Sequence, residues 1–289
     1  MDEADLILTS LGASQLKSWA ESLATDLAAE LAPSRSVDII LAENHPAPAA
    51  LVRSHISSGR VGIAQAQVLR SCIEPTPEQV AEFGPLTVQV QDHWSLPLDG
   101  TALVRPELAA SVPGFDLRPD FATELTRKLY TYNAINAVVS YIGHQRGYDM
   151  LAEAANDAEI AAIAGAAGVE ASSALVTAYG FTAGEQAEWV ERALTKYQDH
   201  RIVDPLERQC RDPVRKLGKD DRLFGPISLC IEHGLPHRNL LLGVKAALAY
   251  QPHEAATVGG GDPSSAELRG WMESGGVREV LSNLGVVLP

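Results

Sequence analysis

Between Pro119 and Tyr250 the chain has no run of strand composition; its apolar residues recur three and four apart, in stretches bounded by helix-starting and helix-ending signals. This restricts that half to helices packed on helices. The first stretch runs from Phe121 to Gly143. An Ala-rich one from Asp157 to Tyr179 ends at Gly180, a residue suited to the left-handed position past a helix end. Thr182-Ala183-Gly184-Glu185 has the form of a capping box, in which the two side chains satisfy free backbone N–H groups, and predicts a helix to about Tyr197. Asp221 to His233, closed by Gly234, and Pro236 to Tyr250 follow. Ser264-Ser265-Ala266-Glu267 repeats the capping signal for a last pair, so about seven helices are expected here.

The preceding part alternates in type. Asp5 to Thr9 and Val37 to Ala42 are short apolar runs of strand composition, each followed by a helical stretch: Ser14 to about Leu31, and a piece leading to His55. Two strand–helix units of this kind read as part of a parallel sheet. From Gly59 to Gly114 the pattern weakens, with only Leu86 to Val90 alternating like a half-exposed strand. A boundary is placed near Pro113-Gly114, which makes residues 1–114 an incomplete α/β layer and residues 115–289 a helical domain.

With 46% apolar residues the chain can bury a substantial core, and 37 acidic against 23 basic residues leave a formal charge of −14. That charge opposes a phosphate backbone and an anionic membrane surface alike, so neither nucleic acid nor membrane is an expected partner. Cys72, Cys210 and Cys230 are odd in number and widely spaced, which fits a reducing cytoplasm better than a disulfide framework. The start, Met1-Asp2-Glu3-Ala4-Asp5, is acidic where a signal peptide is basic, and charge interrupts the long apolar runs, so no span is expected.

Chemistry-bearing residues concentrate on the stretch Lys128-Leu-Tyr-Thr-Tyr-Asn133-Ala-Ile-Asn136. At roughly 100° per residue, Asn133 lies about 140° and Asn136 about 80° round the axis from Lys128, so the three can share one face. On pattern alone they read first as a buried helix with two hydrogen-bonded amides and a snorkelling lysine, since such residues usually serve structure. Arg208, Arg215, Lys216 and Arg222 form a basic cluster in an acidic chain. It suits either a pocket for a sugar phosphate or its hydroxyls, or ion pairing with Glu207, Asp212, Asp220 and Asp221. His233 and His237 are four apart, but Gly234 and Pro236 between them argue against a shared helix face, and no metal site is expected.

These residues also carry a resemblance. Lys128 and Asn133, with Ala137, Tyr141 and Gly143, are similar to the pattern Lys-Leu-aromatic-Thr-x-Asn-x-x-His-Ala…Tyr-x-Gly of the long-chain polyol dehydrogenases, especially the mannitol-1-phosphate 5-dehydrogenases. Asn136 stands where that pattern has histidine. Asp204-Pro205-Leu206-Glu207-Arg208, Asp212-Pro213-Val214-Arg215-Lys216-Leu217, Asp221-Arg222-Leu223 and Gly234-Leu235-Pro236-His237-Arg238-Asn239-Leu240 resemble the family's further signatures in the same order. In the first domain, Asp5 to Gly12 is similar to a strand ending in a loop that touches the dinucleotide, and Glu43-Asn44 to the Glu-Asn pair at the next strand end.

The resemblance implies a partial Rossmann domain followed by an all-α mannitol dehydrogenase C-terminal domain of the 6-phosphogluconate-dehydrogenase-like kind. It implies an NAD-dependent oxidoreductase interconverting mannitol 1-phosphate and fructose 6-phosphate, with Lys128, Asn133, Asn44 and Asn136 catalytic. Thr9, Gly12 and Glu43 would then bind the cofactor, and Arg215, Lys216 and Arg208 the polyol or sugar phosphate. A monomer or weak homo-oligomer is expected. No Gly-x-Gly-x-x-Gly turn occurs in the sequence, so the resemblance also implies an incomplete dinucleotide site and weak NAD binding by these residues alone. Two alternatives stay open: a degenerate or truncated relative acting as a sugar-phosphate-binding or interaction protein, and a hexuronate reductase of the same superfamily.

Overall fold

Val37–Leu41, strand β2, is buried along its whole length, which a strand achieves only when both faces of its sheet are covered. In the computed structural model, which describes residues 4–12, 14–43, 47–91 and 94–250, this strand lies between two parallel neighbours, β1 (Leu6–Thr9) and β3 (Val61–Gln65), in the order β1-β2-β3. Helices α1 (Leu16–Glu30) and α2 (Pro48–Arg53) make the crossovers. Alternation decides which face each residue serves. Ile39 and Leu41 pack with Leu16, Ala20, Leu23 and Leu27 of α1, whereas Ile40 joins Ala64 and Leu98 on the other side.

Beyond β3 the chain adds β4 (Cys72–Ile73), α3 (Pro77–Phe83), β5 (Gln89–Val90), β6 (Leu96–Asp99), α4 (Pro106–Ala110) and β7 (Phe115–Arg118). β4 pairs antiparallel with β5, and β6 parallel with β7. Of the alternating stretch from Leu86 to Val90 only Gln89–Val90 is strand, and Leu86 is almost fully exposed. β3, β6 and β7 carry no strong pattern of their own; Gly62 interrupts β3 and Pro97 interrupts β6, and pairing makes all three strands.

Asp38 shows how tightly this layer is tied. Fully buried on β2, it accepts from the backbone N–H groups of Val104 at 2.8 Å and Arg105 at 2.9 Å. A Cβ on the neighbouring Gly62 would lie 1.9 Å from the Asp38 carboxylate, so glycine is required there. Asp38→Ala removes the charged acceptor of two part-buried N–H groups, and a loss of about 2–3 kcal/mol in unfolding free energy is expected from urea denaturation.

The described residues divide into two compact units, with the boundary between Leu125 and Thr126. The sequence pattern places the boundary near Gly114, but β7 belongs to the first unit because it pairs with β6. The second unit is helical, and among the described residues its only strand-like pairing is the isolated bridge Met150–Pro205. α5 (Phe121–Lys128) passes through a π-helical turn, Leu129–Asn133, into α6 (Ala134–Gln145). Then come α7 (Leu151–Asn156), α8 (Ala158–Tyr179), α9 (Ala183–Gln198), α10 (Leu206–Cys210), α11 (Pro213–Lys216), α12 (Phe224–Glu232) and α13 (Arg238–Leu248). The capping residues act as the sequence predicts: Gly180 ends α8 at φ 75°, and Thr182 and Glu185 close a capping box at α9. The expected last pair of helices, with its Ser264–Glu267 cap, lies outside the described residues.

α6 is the axis of this unit and packs against α7, α8, α10 and α13. Close approach rests on small residues: a Cβ on Gly168 would meet Ile135 at 2.8 Å, and one on Gly243 would meet Val138 at 2.7 Å. α8 corrects one expectation. It is long and apolar enough to cross a membrane by length and composition, since only Glu159 and Glu170 interrupt its 22 residues. In this fold α8 packs against α6, α9, α12 and α13, and Glu170 accepts from the N–H groups of Asn239 and Leu240 at the start of α13.

Candidate functional site

The π-helical turn falls within the stretch that the sequence marks for chemistry. Such a turn holds one residue more than an α-turn, which sets the following helix back by about 100°. Asn133 thereby moves from about 140° to about 40° from Lys128, and Asn136 from about 80° to about 20° on the other side. One helix face now carries all three. The wider turn is held from α9: Tyr197 Oη donates to the Tyr132 carbonyl at 2.9 Å, and Gln186 Nε2 donates to Thr131 Oγ1 at 3.5 Å. Trp189 packs edge-on against Tyr132, with ring centroids 5.3 Å apart. Its other neighbour, Arg127, lies over the indole at 4.3 Å and donates from Nε to Gln186 Oε1 at 2.5 Å.

Lys128 and Asn133 are half-buried and Asn136 is 8% exposed. Burial pushes the Lys128 ammonium down to about 8, helped by the positive charges of Lys196 and Arg222. Asn136 Oδ1 accepts a long bond from Ser140 Oγ, 3.4 Å, and no hydrogen bond engages the Asn133 carboxamide among the described residues.

Lys216 joins this neighbourhood. Buried at the end of α11, it donates from Nζ to the Gln209 carbonyl and lies 5.8 Å from the centre of the Tyr141 ring. Burial also lowers it to about 8, and Arg222 again contributes. Both lysines therefore lie within electrostatic reach of one guanidinium, which is itself held by Asp221 at 2.7 Å. The backbone delivering Lys216 includes Asp212 at φ 63°, the one left-handed non-glycine residue among those described.

Arg208 and Arg215 stand apart from this group. Arg208 pairs with Asp204 at 2.7 Å, and Arg215 with Asp212 at 2.6 Å and Asp221 at 3.4 Å; more than half of each side chain is exposed. This is largely the ion-pairing alternative for the basic cluster. His237 Nδ1 lies 3.1 Å from the Leu235 carbonyl, and among the described residues no His, Cys, Asp and Glu side chains gather as a metal site.

In the first unit, Thr9 and Glu43 lie at the carboxyl ends of adjacent parallel strands, where open α/β sheets present ligands. Both Glu43 oxygens accept from the following loop, at 2.8 Å from the Leu11 N–H and 2.9 Å from the Gly12 N–H, with Gly12 at φ 87°. Glu43 thus shapes the loop. Thr9 is 3% exposed, and its Oγ1 has no hydrogen-bond partner among the described residues. Asn44 lies outside the described residues. Sequence reasoning missed Lys196, because a lysine in the last turn of an amphipathic helix reads as a solvated complement to the helix dipole.

Residues 123–284 match the mannitol dehydrogenase C-terminal domain. A D-sorbitol dehydrogenase in substrate-free form superposes with a TM-score of 0.68 at 12% identity, over 92% of this chain and 65% of that one. Pseudomonas fluorescens mannitol 2-dehydrogenase, in a ternary complex with NAD and D-mannitol, gives 0.60 at 15% identity, over 93% of this chain and 64% of that one. The chain thus spans less than two thirds of the length of either structure. It belongs to the mannitol dehydrogenase family, whose C-terminal domain makes up more than half of it.

Proposed function

We propose that this chain carries the catalytic and substrate-binding part of an NAD-dependent polyol oxidoreductase of the mannitol-1-phosphate 5-dehydrogenase type. The supporting observation is that the π-helical turn gathers Lys128, Asn133 and Asn136 on one helix face, with the lysine lowered to about 8. Oxidation of an alcohol removes the hydroxyl proton while a hydride leaves the same carbon. Lys128 in its neutral form accepts that proton, and the carboxamides of Asn133 and Asn136 donate to the developing alkoxide. A bound nicotinamide supplies the hydride acceptor. The residues present fit one side of such a cofactor: the buried Thr9 hydroxyl and the Leu11–Gly12 loop braced by Glu43. A pyrophosphate-binding Gly-x-Gly-x-x-Gly turn is not among these 289 residues.

Arg222 supplies positive charge near the base and near Lys216, which suits a phosphorylated polyol; Arg208 and Arg215 extend it toward solvent. We place the protein in the cytoplasm as a monomer or weak homo-oligomer. Asn136 favours a second reading, a non-catalytic relative that keeps the pocket for binding sugar phosphates, because asparagine cannot titrate near neutral pH as the family's histidine does. The test joins the chain to the dinucleotide-binding half of a related dehydrogenase and follows NADH with mannitol 1-phosphate, mannitol and a hexuronate as substrates. Mannitol 1-phosphate is expected to be the best substrate, and Asn136→His to raise kcat by about tenfold or more. An inactive parent that binds NADH and is not rescued by Asn136→His would establish the binding-only reading.

A further inference from the structure

Along α9, Gln186, Trp189 and Tyr197 fall within about 80° of one another at about 100° per residue, and all three are buried. Each reaches the run from Arg127 to Tyr132. Gln186 joins the side chains of Arg127 and Thr131, Trp189 packs edge-on against Tyr132, and Tyr197 Oη donates to the Tyr132 carbonyl at 2.9 Å. The Tyr197 contact differs from the other two because it engages the backbone.

In a regular α-helix the Tyr132 carbonyl accepts from the N–H four residues on, that of Asn136. Tyr197 is 8% exposed, and this carbonyl is the one hydrogen-bond partner of its hydroxyl among the described residues. A buried hydroxyl left unbonded is unfavourable, so a backbone that keeps the carbonyl turned toward α9 is favoured over one that turns it away.

We propose that Tyr197 is a positioning residue for the reaction: by holding the Tyr132 carbonyl it keeps the π turn open, and with it the phase that sets Asn133 and Asn136 on the Lys128 face. The inference rests on the reading of those three residues as the reacting groups. If the turn closes into regular α-helix, Asn133 and Asn136 are carried about 100° round the axis. Lys128 precedes the turn and keeps its place on α5, so the two carboxamides swing away from the alkoxide that the base generates. Losing one oxyanion donor typically lowers kcat by about 10²–10³-fold, and here two move together.

The extra residue of the turn also supplies the control. Deleting Thr131 leaves four steps from Lys128 to Asn133 and seven to Asn136, which a regular α-helix places at about 40° and about 20° on the other side. That is the phase of the π turn without the turn, so in this background Tyr197 has nothing to hold open.

The experiment makes Tyr197→Phe, which removes only the hydroxyl, in the parent and in the Thr131 deletion. Each is joined to the dinucleotide-binding half of a related dehydrogenase and assayed for kcat and KM with mannitol 1-phosphate. Crystal structures of the 289-residue parent and its Tyr197→Phe variant read the turn directly and need no turnover. In the parent background kcat is expected to fall about 10²–10³-fold with a far smaller change in KM, and residues 129–133 to run as regular α-helix. In the deletion background Tyr197→Phe should leave kcat unchanged. If Tyr197→Phe does not fold in the parent, its recovery in the deletion background supports the same role; if the deletion does not fold, the crystal structures decide. An intact π turn in Tyr197→Phe, an equal loss of kcat in both backgrounds, or a failure to fold in both overturns the role of Tyr197 and leaves the reacting groups as they are. A joined parent that binds NADH but turns over no substrate removes the reading of the reacting groups, and this inference with it.

Discussion

Lys128→Ala, in the chain joined to a related dinucleotide-binding half, is expected to lower kcat for polyol oxidation by about 10²–10⁴-fold. KM should change far less, because the lost interaction is the proton transfer. In the parent, the oxidation rate should climb as pH rises through about 8, as Lys128 loses its proton, and that limb should vanish in the variant. Steady-state kinetics from pH 6 to 10 measures both. A variant that keeps the parental pH profile would remove the base from this helix.

Stability should move the other way. A lysine whose folded pKa of about 8 lies below its unfolded value of about 10.4 is a burden while it must stay charged in the fold. The burden is full below about pH 8 and fades as pH rises toward the unfolded value, where both states are neutral. Lys128→Met should therefore raise the urea midpoint at pH 7 and have little effect above about pH 10.5. A simultaneous loss of activity and gain of stability is the signature of a group kept for chemistry.

Glu170→Ala is expected to cost about 3 kcal/mol, because it strands the donors at the start of α13. The carboxylate is 8% exposed and accepts from the Asn239 N–H at 2.9 Å, Asn239 Nδ2 at 2.8 Å and the Leu240 N–H at 2.9 Å. It thus seals the start of α13, whose first donors have no partner within the helix. The charge also lies at the positive end of the helix dipole. Glu170→Gln keeps one acceptor and should lose less. Urea unfolding followed by circular dichroism separates the two, and equal losses would show that shape rather than hydrogen bonding holds this contact.

Local signals sufficed where a residue acts within its own turn. Gly180 ends α8 because only a residue without a Cβ takes that left-handed position at no cost, and Thr182 with Glu185 starts α9 by bonding three residues along the chain. β1 and β2 were legible as apolar runs. Strands β3 and β6 were not, because a strand of four or five residues holding Gly62 or Pro97 exists only through its partners, and the four-residue β7 likewise rests on its pairing with β6.

The site divides in the same way. The sequence by itself determined that Lys128, Asn133 and Asn136 share one helix, and the order of the surrounding signatures determined the family. Only the tertiary structure decided their phase, since the π turn is held by Tyr197 and Gln186, which lie more than fifty residues away; Tyr197 bonds the Tyr132 carbonyl, which a regular α-helix would use internally, and Gln186 the Thr131 hydroxyl. It also separated buried Lys216 from solvent-facing Arg215, one position apart in sequence. Periodicity specifies which residues a helix can place together, whereas charge, burial and the exact turn depend on neighbours contributed from elsewhere in the chain.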